Sequence, residues 1–435
     1  MKSLNLLKIG LVALFISSSI FLNAQTKSNK IATTISYGSP EDAGFSAERI
    51  ARIDSMCISA IKEGDLPGIV ALVARNGKIV YNKAFGTSNA DTKKALKTND
   101  IFRLASQSKA ITATAVMMLW EQGKFRLDDP VSKYIPEFKN PVVLDSLLAD
   151  GSYTTSPADK EISIRHLLTH TSGIGYGVID GDVRFKKIYD KAGIIDLFTT
   201  KNISIGENIK KLAVLPLHHN PGEKFTYSES YDVLGYFIEV ISGMPFDKYL
   251  RTHIFNPLGM DDTWFYLPDS KVDRLVSVQK QEDGKWENYP ITFYDTDYPI
   301  KGAKKFFSGG AGLSSTAEDY AKFLQMYLNQ GVYNGKRLLS RTTVNIILAN
   351  QINDLWGEDP DVVYGLAFAI QSQKGGEKGE SGSEGTFSWG GYFNTQYFAD
   401  PKEQVIGIIL KQTQGPVDDK TGWKFPILVA QSIDD

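Results

Sequence analysis

Stretches of β-forming composition lie only toward the two ends of this chain, so any sheet it builds must be closed by segments far apart in sequence. Ile69 to Ala74 and Lys78 to Phe85 flank Asn76-Gly77, the pair that best tolerates the positive φ angles of a two-residue hairpin turn. Three more strands are predicted at Val363 to Gln371, Thr386 to Phe398 and Gln404 to Lys411, with Asp400-Pro401 turning the last two into a hairpin. A helix is predicted over Phe45 to Gly64, where Ile50, Ile53, Met56, Cys57, Ala60 and Ile61 recur at helical spacing behind Ser46 as cap. Ser106 to Gln122 is apolar around most of its surface, which predicts a helix buried between layers, and Ala317 to Asn329 reads as a helix capped by Thr316. Asp128 to Asp297 mixes helical stretches with loops rich in Pro and Gly, and Lys374 to Glu384 is a short polar loop. The expected fold is α+β: an antiparallel sheet built from the N- and C-terminal segments, flanked by helices, with an inserted mainly helical lobe. One domain over 25–435 follows, its sheet part at about 40–127 and 298–435 and its helical lobe at about 128–297.

At 435 residues, 42% hydrophobic, 23% charged and a net charge of -2, the chain is long and apolar enough for a sizeable core, which excludes disorder and collagen-like structure. No basic run supplies the positive field that phosphate backbones or anionic membrane surfaces require, so nucleic acid is not an expected partner. The single cysteine, Cys57, has no partner for an internal disulfide or a thiolate zinc cluster, and it reads as part of a buried helical face. Lys2 and Lys8 precede an apolar stretch of 14 residues from Ile9 to Leu22 and then Asn23-Ala24-Gln25, the order of a secretory signal peptide over 1–24. That stretch falls short of the ~20 residues a membrane span needs, so no stable membrane insertion is expected, and the mature chain is expected to be periplasmic or secreted.

Several chemistries leave no mark. Gly-x-Ser-x-Gly is absent, and His166 and His170 share helical spacing without the Glu that a metalloprotease places after the first His. No Gly-x-x-x-x-Gly-Lys loop for nucleotide phosphate occurs, so neither a metal nor a cofactor is expected. Ser106-Gln107-Ser108-Lys109 remains, setting a hydroxyl and an amine three positions apart at the start of the buried helix. Cβ atoms at that spacing lie about 5 to 6 Å apart, within reach of each other's side chains. Ser59 with Lys62 and Ser277 with Lys280 match the same spacing, but only Ser106 opens a long apolar helix. An N-capping serine beside a surface lysine is the plainer alternative.

The segment Phe102 to Lys109 resembles the active-site segment of the serine β-lactamase-like superfamily. Further similar blocks are Ile164 to Gly173, Pro221 to Ser228, Gly309 to Thr316 and Trp389-Gly390-Gly391, in family order. The resemblance is greatest to the class C-like group that includes family VIII carboxylesterases and D-aminopeptidases. It implies Ser106 as nucleophile, Lys109 as its neighbour and Tyr227 as general base. A tyrosine with an ordinary pKa near ~10 needs positive charge nearby to act at neutral pH. Lys109 either supplies that charge or, if neutral, takes the serine proton itself. Tyr327-Leu328-Asn329 and Tyr392-Phe393-Asn394 also fit a Tyr-x-Asn pattern but fall in a predicted helix and strand. The resemblance further implies a strand edge along the substrate at Trp389, Gly390 and Gly391, and an oxyanion hole from the backbone N–H groups of Ser106 and Tyr392.

Two positions depart from the β-lactamase pattern. Trp389 stands where those enzymes use a lysine for the substrate carboxylate, which favours apolar or aromatic groups over acids. Glu229 stands where an asparagine often ends the tyrosine motif, placed to hold Lys109 charged or to repel anionic substrates. The reading that follows is acyl transfer through Ser106 on a small-molecule ester or amide, a carboxylesterase first. A β-lactamase, a D-amino-acid peptidase or an inactive ligand-binding relative are the alternatives. Oligomeric state is not legible in the sequence.

Overall fold

The computed structural model describes residues 32–380, 382–415 and 418–435. The expected signal peptide lies outside the described residues.

Asn76 and Gly77 take φ of 51° and 73°, as a mirror-image two-residue turn requires, and join Gly68–Arg75 to Lys78–Gly86 in an antiparallel pair. Val405–Leu410 then pairs antiparallel with Gly68–Arg75, Val405 opposite Arg75 and Leu410 opposite Val70, so the two ends of the chain meet in adjacent strands. The described sheet has eight strands, in the order 36–37, 78–86, 68–75, 405–410, 395–400, 387–391, 369–371 and 362–364.

Both central strands are buried at every position, and alternation assigns each face its own layer. Val70, Leu72, Ile406 and Ile408 face the layer containing Ile111, Ala115, Tyr320 and Leu324, from helices Ser108–Glu121 and Ala317–Leu328. Ile69, Ala71, Val73 and Ile409 face Ile53, Cys57, Phe425 and Val429, from helices Arg52–Lys62 and Thr421–Ala430. Cys57 is fully buried there.

The lobe carries helices such as Val183–Ala192, Ile205–Leu212 and Ser230–Ser242, and two hairpins. Its last hairpin, Gln279–Glu282 with Lys285–Asn288, pairs in parallel with Thr413–Gln414 of the C-terminal half.

Three expectations are corrected. The helix predicted over Phe45 to Gly64 is two, Ala47–Ile50 and Arg52–Lys62, because Ala51 turns the chain by accepting Asp54 N–H in a tighter i→i+3 bond; Ser46 does cap the first. The three predicted C-terminal strands are five, since Gly365 to Phe368 and Tyr392 to Asn394 are turns inside apolar runs. The expected antiparallel sheet is present, with one short parallel strand at its edge, Ser36–Tyr37 beside Lys78 and Ile79. The polar loop carries a short helix, Gln373–Lys378, capped by Ser372.

Lys411, immediately after the central strand, is fully buried and ion-pairs with Asp419, which also accepts hydrogen bonds from Thr421 and from Asn394 Nδ2. This pair fastens the C-terminal helix and the Tyr392 turn to the sheet. Asp419→Ala leaves an unpaired buried ammonium and is expected to cost about 3–5 kcal/mol in urea unfolding, while Lys411→Met with Asp419→Leu loses clearly less.

Candidate active site

Ser106 sits on a turn rather than on the α-helix proper: Ala105–Gln107 is a 3-10 turn, and the α-helix runs over Ser108–Glu121. Ala105 takes φ of 44°, a left-handed conformation that a β-carbon makes costly by roughly 1–2 kcal/mol. What holds it is the fixing of the residues before it. Phe102–Arg103 pairs with Ser314–Ser315. Gln412 accepts Arg103 N–H at 2.9 Å and donates to Arg103 O at 3.1 Å, reading the backbone of that strand on both sides. The buried Arg103 guanidinium donates to Val276 O and Thr296 O at 2.6 and 2.7 Å. Ser106 itself is half-buried.

Lys109 is fully buried one turn on, and its three N–H donors have three acceptors. Nζ lies 3.3 Å from Ser106 Oγ, 3.2 Å from Tyr176 OH and 2.8 Å from Gly310 O. It also stands 4.7 Å from the centre of the Tyr227 ring. Beyond it Asp232, buried, accepts the Ser308 hydroxyl and Gly310 N–H, both at 2.7 Å, and burial is the main cause that lifts its carboxyl to about 6.

Tyr227 is half-buried in the loop before Ser230–Ser242. The His170-Thr171-Ser172-Gly173 segment supports that loop. His170 O accepts Thr226 N–H at 2.8 Å, Ser172 Oγ meets Ser230 Oγ at 2.9 Å, and the His170 ring packs 4.5 Å from the Tyr227 ring. Ser228 N–H donates to His170 Nδ1, so the proton of this buried imidazole is on Nε2, and burial keeps its pKa well below the ordinary histidine range. His166 instead closes a capping box with Ser163. The two histidines have separate structural tasks.

Phe387–Gly391 brings Trp389, Gly390 and Gly391 to the cleft edge. Trp389 Nε1 donates to Tyr227 OH at 3.3 Å, with ring centres 5.8 Å apart. A β-carbon on Gly391 would lie 2.3 Å from Leu104 O, so only glycine lets this strand end close against the Ser106 turn. Tyr392 follows in the turn, which Asn394 completes with φ of 66°. Around the turn Phe198, Tyr289, Tyr294, Tyr298 and Phe393 form an aromatic wall that includes Tyr176, Tyr227 and Tyr392.

The structure thus gathers Ser106, Lys109, Tyr227, Trp389 and Gly391 around one lysine and one strand end. Glu229 differs. It is 1% exposed, makes no hydrogen bond to Lys109, and its carboxyl lies beside Asp196, so it faces the interior rather than a substrate. Burial, before the neighbouring carboxylates, pushes its pKa well above the ordinary range, and a neutral carboxyl repels no anion. Tyr176, fully part of the lysine's hydrogen-bond set, had no sequence signal beyond lying three residues past Gly173. The competing Ser-x-x-Lys pairs are elsewhere: Ser59 and Lys62 are exposed, and Lys280 pairs with Glu282. Tyr327 is a core residue bonded to Thr114.

The family model described as Beta-lactamase matches residues 53–431. Esterase EstB of Burkholderia gladioli is 31% identical over 381 residues, 84% of this chain and 91% of the relative. A putative D-alanyl-D-alanine carboxypeptidase of Escherichia coli (strain K12) is 27% identical, covering 88% of this chain and 86% of its own. Among solved structures, EstCE1, a hydrolase with promiscuous acyltransferase activity, superposes with a TM-score of 0.72 at 26% identity, covering 89% of this chain and 99% of its own.

Gly391→Ala must separate the strand end from Leu104 O, displacing the edge relative to Ser106. It is expected to reduce kcat/KM for a p-nitrophenyl ester by about 10²-fold while the circular dichroism spectrum is retained.

Proposed function

The chain belongs to the beta-lactamase family and is a serine hydrolase of it, and on that premise we propose that it is a carboxylesterase working through an acyl-enzyme on Ser106. In this reading Ser106 Oγ attacks the ester carbonyl and its proton passes to Lys109 Nζ, 3.3 Å away, when that amine is neutral, or to the Tyr227 phenolate when Lys109 is the cation that stabilises it. The carbonyl oxygen, negative in the tetrahedral intermediate, is held by the backbone N–H groups of Ser106 and Tyr392, each worth roughly 3–4 kcal/mol. Collapse breaks the C–O bond of the ester, the stored proton leaves with the alcohol, and the acyl group stays on Ser106. Water then adds to the acyl carbon, gives a proton to the same base, and releases the acid with Oγ reprotonated.

The observation that carries the ester reading is Trp389. Where a lysine would offer a charge-assisted hydrogen bond to a substrate carboxylate, the strand edge presents an indole packed on Tyr227 and 5.5 Å from Tyr364. The aromatic wall of Phe198, Tyr289 and Tyr392 beside it suits apolar or aryl acyl and alcohol groups. A small-molecule ester therefore fits better than an anionic β-lactam or a peptide ending in a free carboxylate. The esterase among the relatives supports this, and the carboxypeptidase keeps the cell-wall peptide reading as the alternative. We also place the working enzyme outside the cytoplasm, on the charge and apolar order of residues 1–25.

p-Nitrophenyl butyrate, nitrocefin and a D-alanyl-D-alanine peptide separate these readings. The ester is expected to have the highest kcat/KM, and Ser106→Gly to lose about 10⁴-fold or more together with the acyl adduct seen by rapid-quench mass spectrometry. Faster turnover of nitrocefin or of the peptide would replace the ester assignment.

A further inference from the structure

Two carboxyl groups that none of these steps uses lie between the loops carrying Tyr176 and Tyr227. Glu229 follows Tyr227 by two residues, and neither of its side-chain oxygens meets an N–H or hydroxyl donor. Its carboxyl lies within hydrogen-bonding reach of that of Asp196. Asp196 is 5% exposed and comes from the segment between helices Val183–Ala192 and Ile205–Leu212. Its oxygens already have donors: Gly177 N–H at 2.9 and 3.0 Å, and Val178 N–H at 2.5 Å.

Two carboxylates in contact in a buried site cannot both ionise. The donor count decides which of them keeps the proton. Asp196 already accepts backbone N–H bonds, whereas Glu229 has none and gains a partner only by donating its own O–H to Asp196. A proton between them therefore serves both groups, and without it Glu229 is a buried charge with no donor at all.

The pair is attached on both sides of Tyr176. Glu229 N–H donates to Gly175 O at 3.2 Å, Asp196 accepts Gly177 N–H, and Tyr176 N–H donates to Asp180 Oδ2 at 2.8 Å. The Tyr176 hydroxyl in turn bonds Lys109.

We propose that Glu229 donates its carboxyl O–H to Asp196, forming a clasp that locks the Gly175–Val178 segment to the Tyr227 loop and holds both tyrosines on Lys109, and that loss of that proton releases it. Glu229 is thus a positioning residue acting through Tyr176, and the proposal rests on Ser106 and Lys109 being the reacting pair. The titratable groups around Glu229 are Asp196, Asp232, Lys109, Tyr176 and Tyr189. Lys109 alone among these favours ionisation; the two aspartates oppose it, and burial opposes it most.

Because the folded protein keeps a proton that the unfolded chain gives up near the ordinary glutamate value of 4.5, stability falls as pH rises from there toward the folded-state pKa. Glu229→Gln keeps an N–H donor toward Asp196 and cannot ionise. Its melting temperature is expected to gain on wild type as pH is raised from 5 to 8, by about 1–2 °C per pH unit. With p-nitrophenyl butyrate, the kcat of wild type is expected to fall on the alkaline side and that of Glu229→Gln to lack this limb. Glu229→Leu, with no donor, is expected to lose about tenfold or more in kcat with KM changed less than threefold. Should Glu229→Gln not fold, Asp196→Asn supplies the second test: the like charge is gone while the burial of Glu229 remains, and the dependence of melting temperature on pH should weaken. Melting curves of wild type and variant that run parallel from pH 5 to 8, or a Glu229→Leu enzyme as fast as wild type, would overturn the clasp. The melting measurement needs no substrate, and the Ser106 adduct is read separately, so failure of one reading is distinguishable from failure of the other.

Discussion

The site depends on burying an amine. Lys109 is excluded from solvent, so each of its N–H groups needs a partner from the protein, and Ser106 Oγ, Tyr176 OH and Gly310 O come from three separate segments. Each partner is neutral. The serine hydroxyl is thereby held toward the amine as part of satisfying a buried polar group, and not only by the geometry of adjacent helix turns. The rings of Tyr227 and Tyr231, with centres 4.7 and 5.9 Å from Nζ, complete the enclosure.

Holding those segments together is the work of the sheet. The residues that fix the Ser106 turn are late in the chain: Gln412 pairs with the Arg103 backbone, and Gly391 closes against Leu104. Both are positioned because Val405–Leu410 pairs beside Gly68–Arg75 and carries Thr395–Asp400 and Phe387–Gly391 outward from it. Strand pairing between distant ends therefore places the strand edge against the Ser106 turn, while the lobe between them supplies the tyrosines.

What the sequence made legible follows from how local each signal was. Asn76-Gly77 is a turn whose chemistry is contained in two residues, and Asp400-Pro401 opens a four-residue turn in which Asp400 accepts the Lys402 and Glu403 N–H groups, so the sheet halves could be read from them. The turns at Gly365 to Phe368 and Tyr392 to Asn394 are built largely from apolar residues. Ala367 takes φ of 77° there and Asn394 φ of 66°, so composition read each hairpin as one strand. Ser106 and Lys109 share a spacing with two exposed or charged pairs, and only the apolar helix behind them separated them in sequence. Tyr176, Asp196 and Asp232 left no motif, because their relation to Lys109 is set by tertiary contacts between the lobe and the helix. Glu229 was visible as a departure, but its direction was not: a carboxylate in an active-site motif suggests a charge facing substrate, and only the packing of the Gly175–Val178 segment turns it inward.

The chain contains a second fully buried lysine, and the contrast between the two separates burial from reactivity. Lys411 is as inaccessible as Lys109, but it is paired directly with the Asp419 carboxylate and with Thr421 Oγ1. Burial outweighs the pair and lowers the Lys411 pKa, but the direct attraction of Asp419 opposes that shift, and any proton movement between the two forfeits it. Such a lysine fastens elements together. Lys109 makes no ion pair among the described residues; Asp232 holds the Gly310 N–H while the glycine carbonyl holds the lysine. The neutral oxygens around Nζ satisfy an ammonium as acceptors, and the serine and tyrosine hydroxyls can equally donate to a neutral amine. Gaining or losing a proton at Lys109 therefore reverses hydrogen bonds without breaking an ion pair, which is the condition under which a buried amine can exchange a proton with a neighbouring hydroxyl.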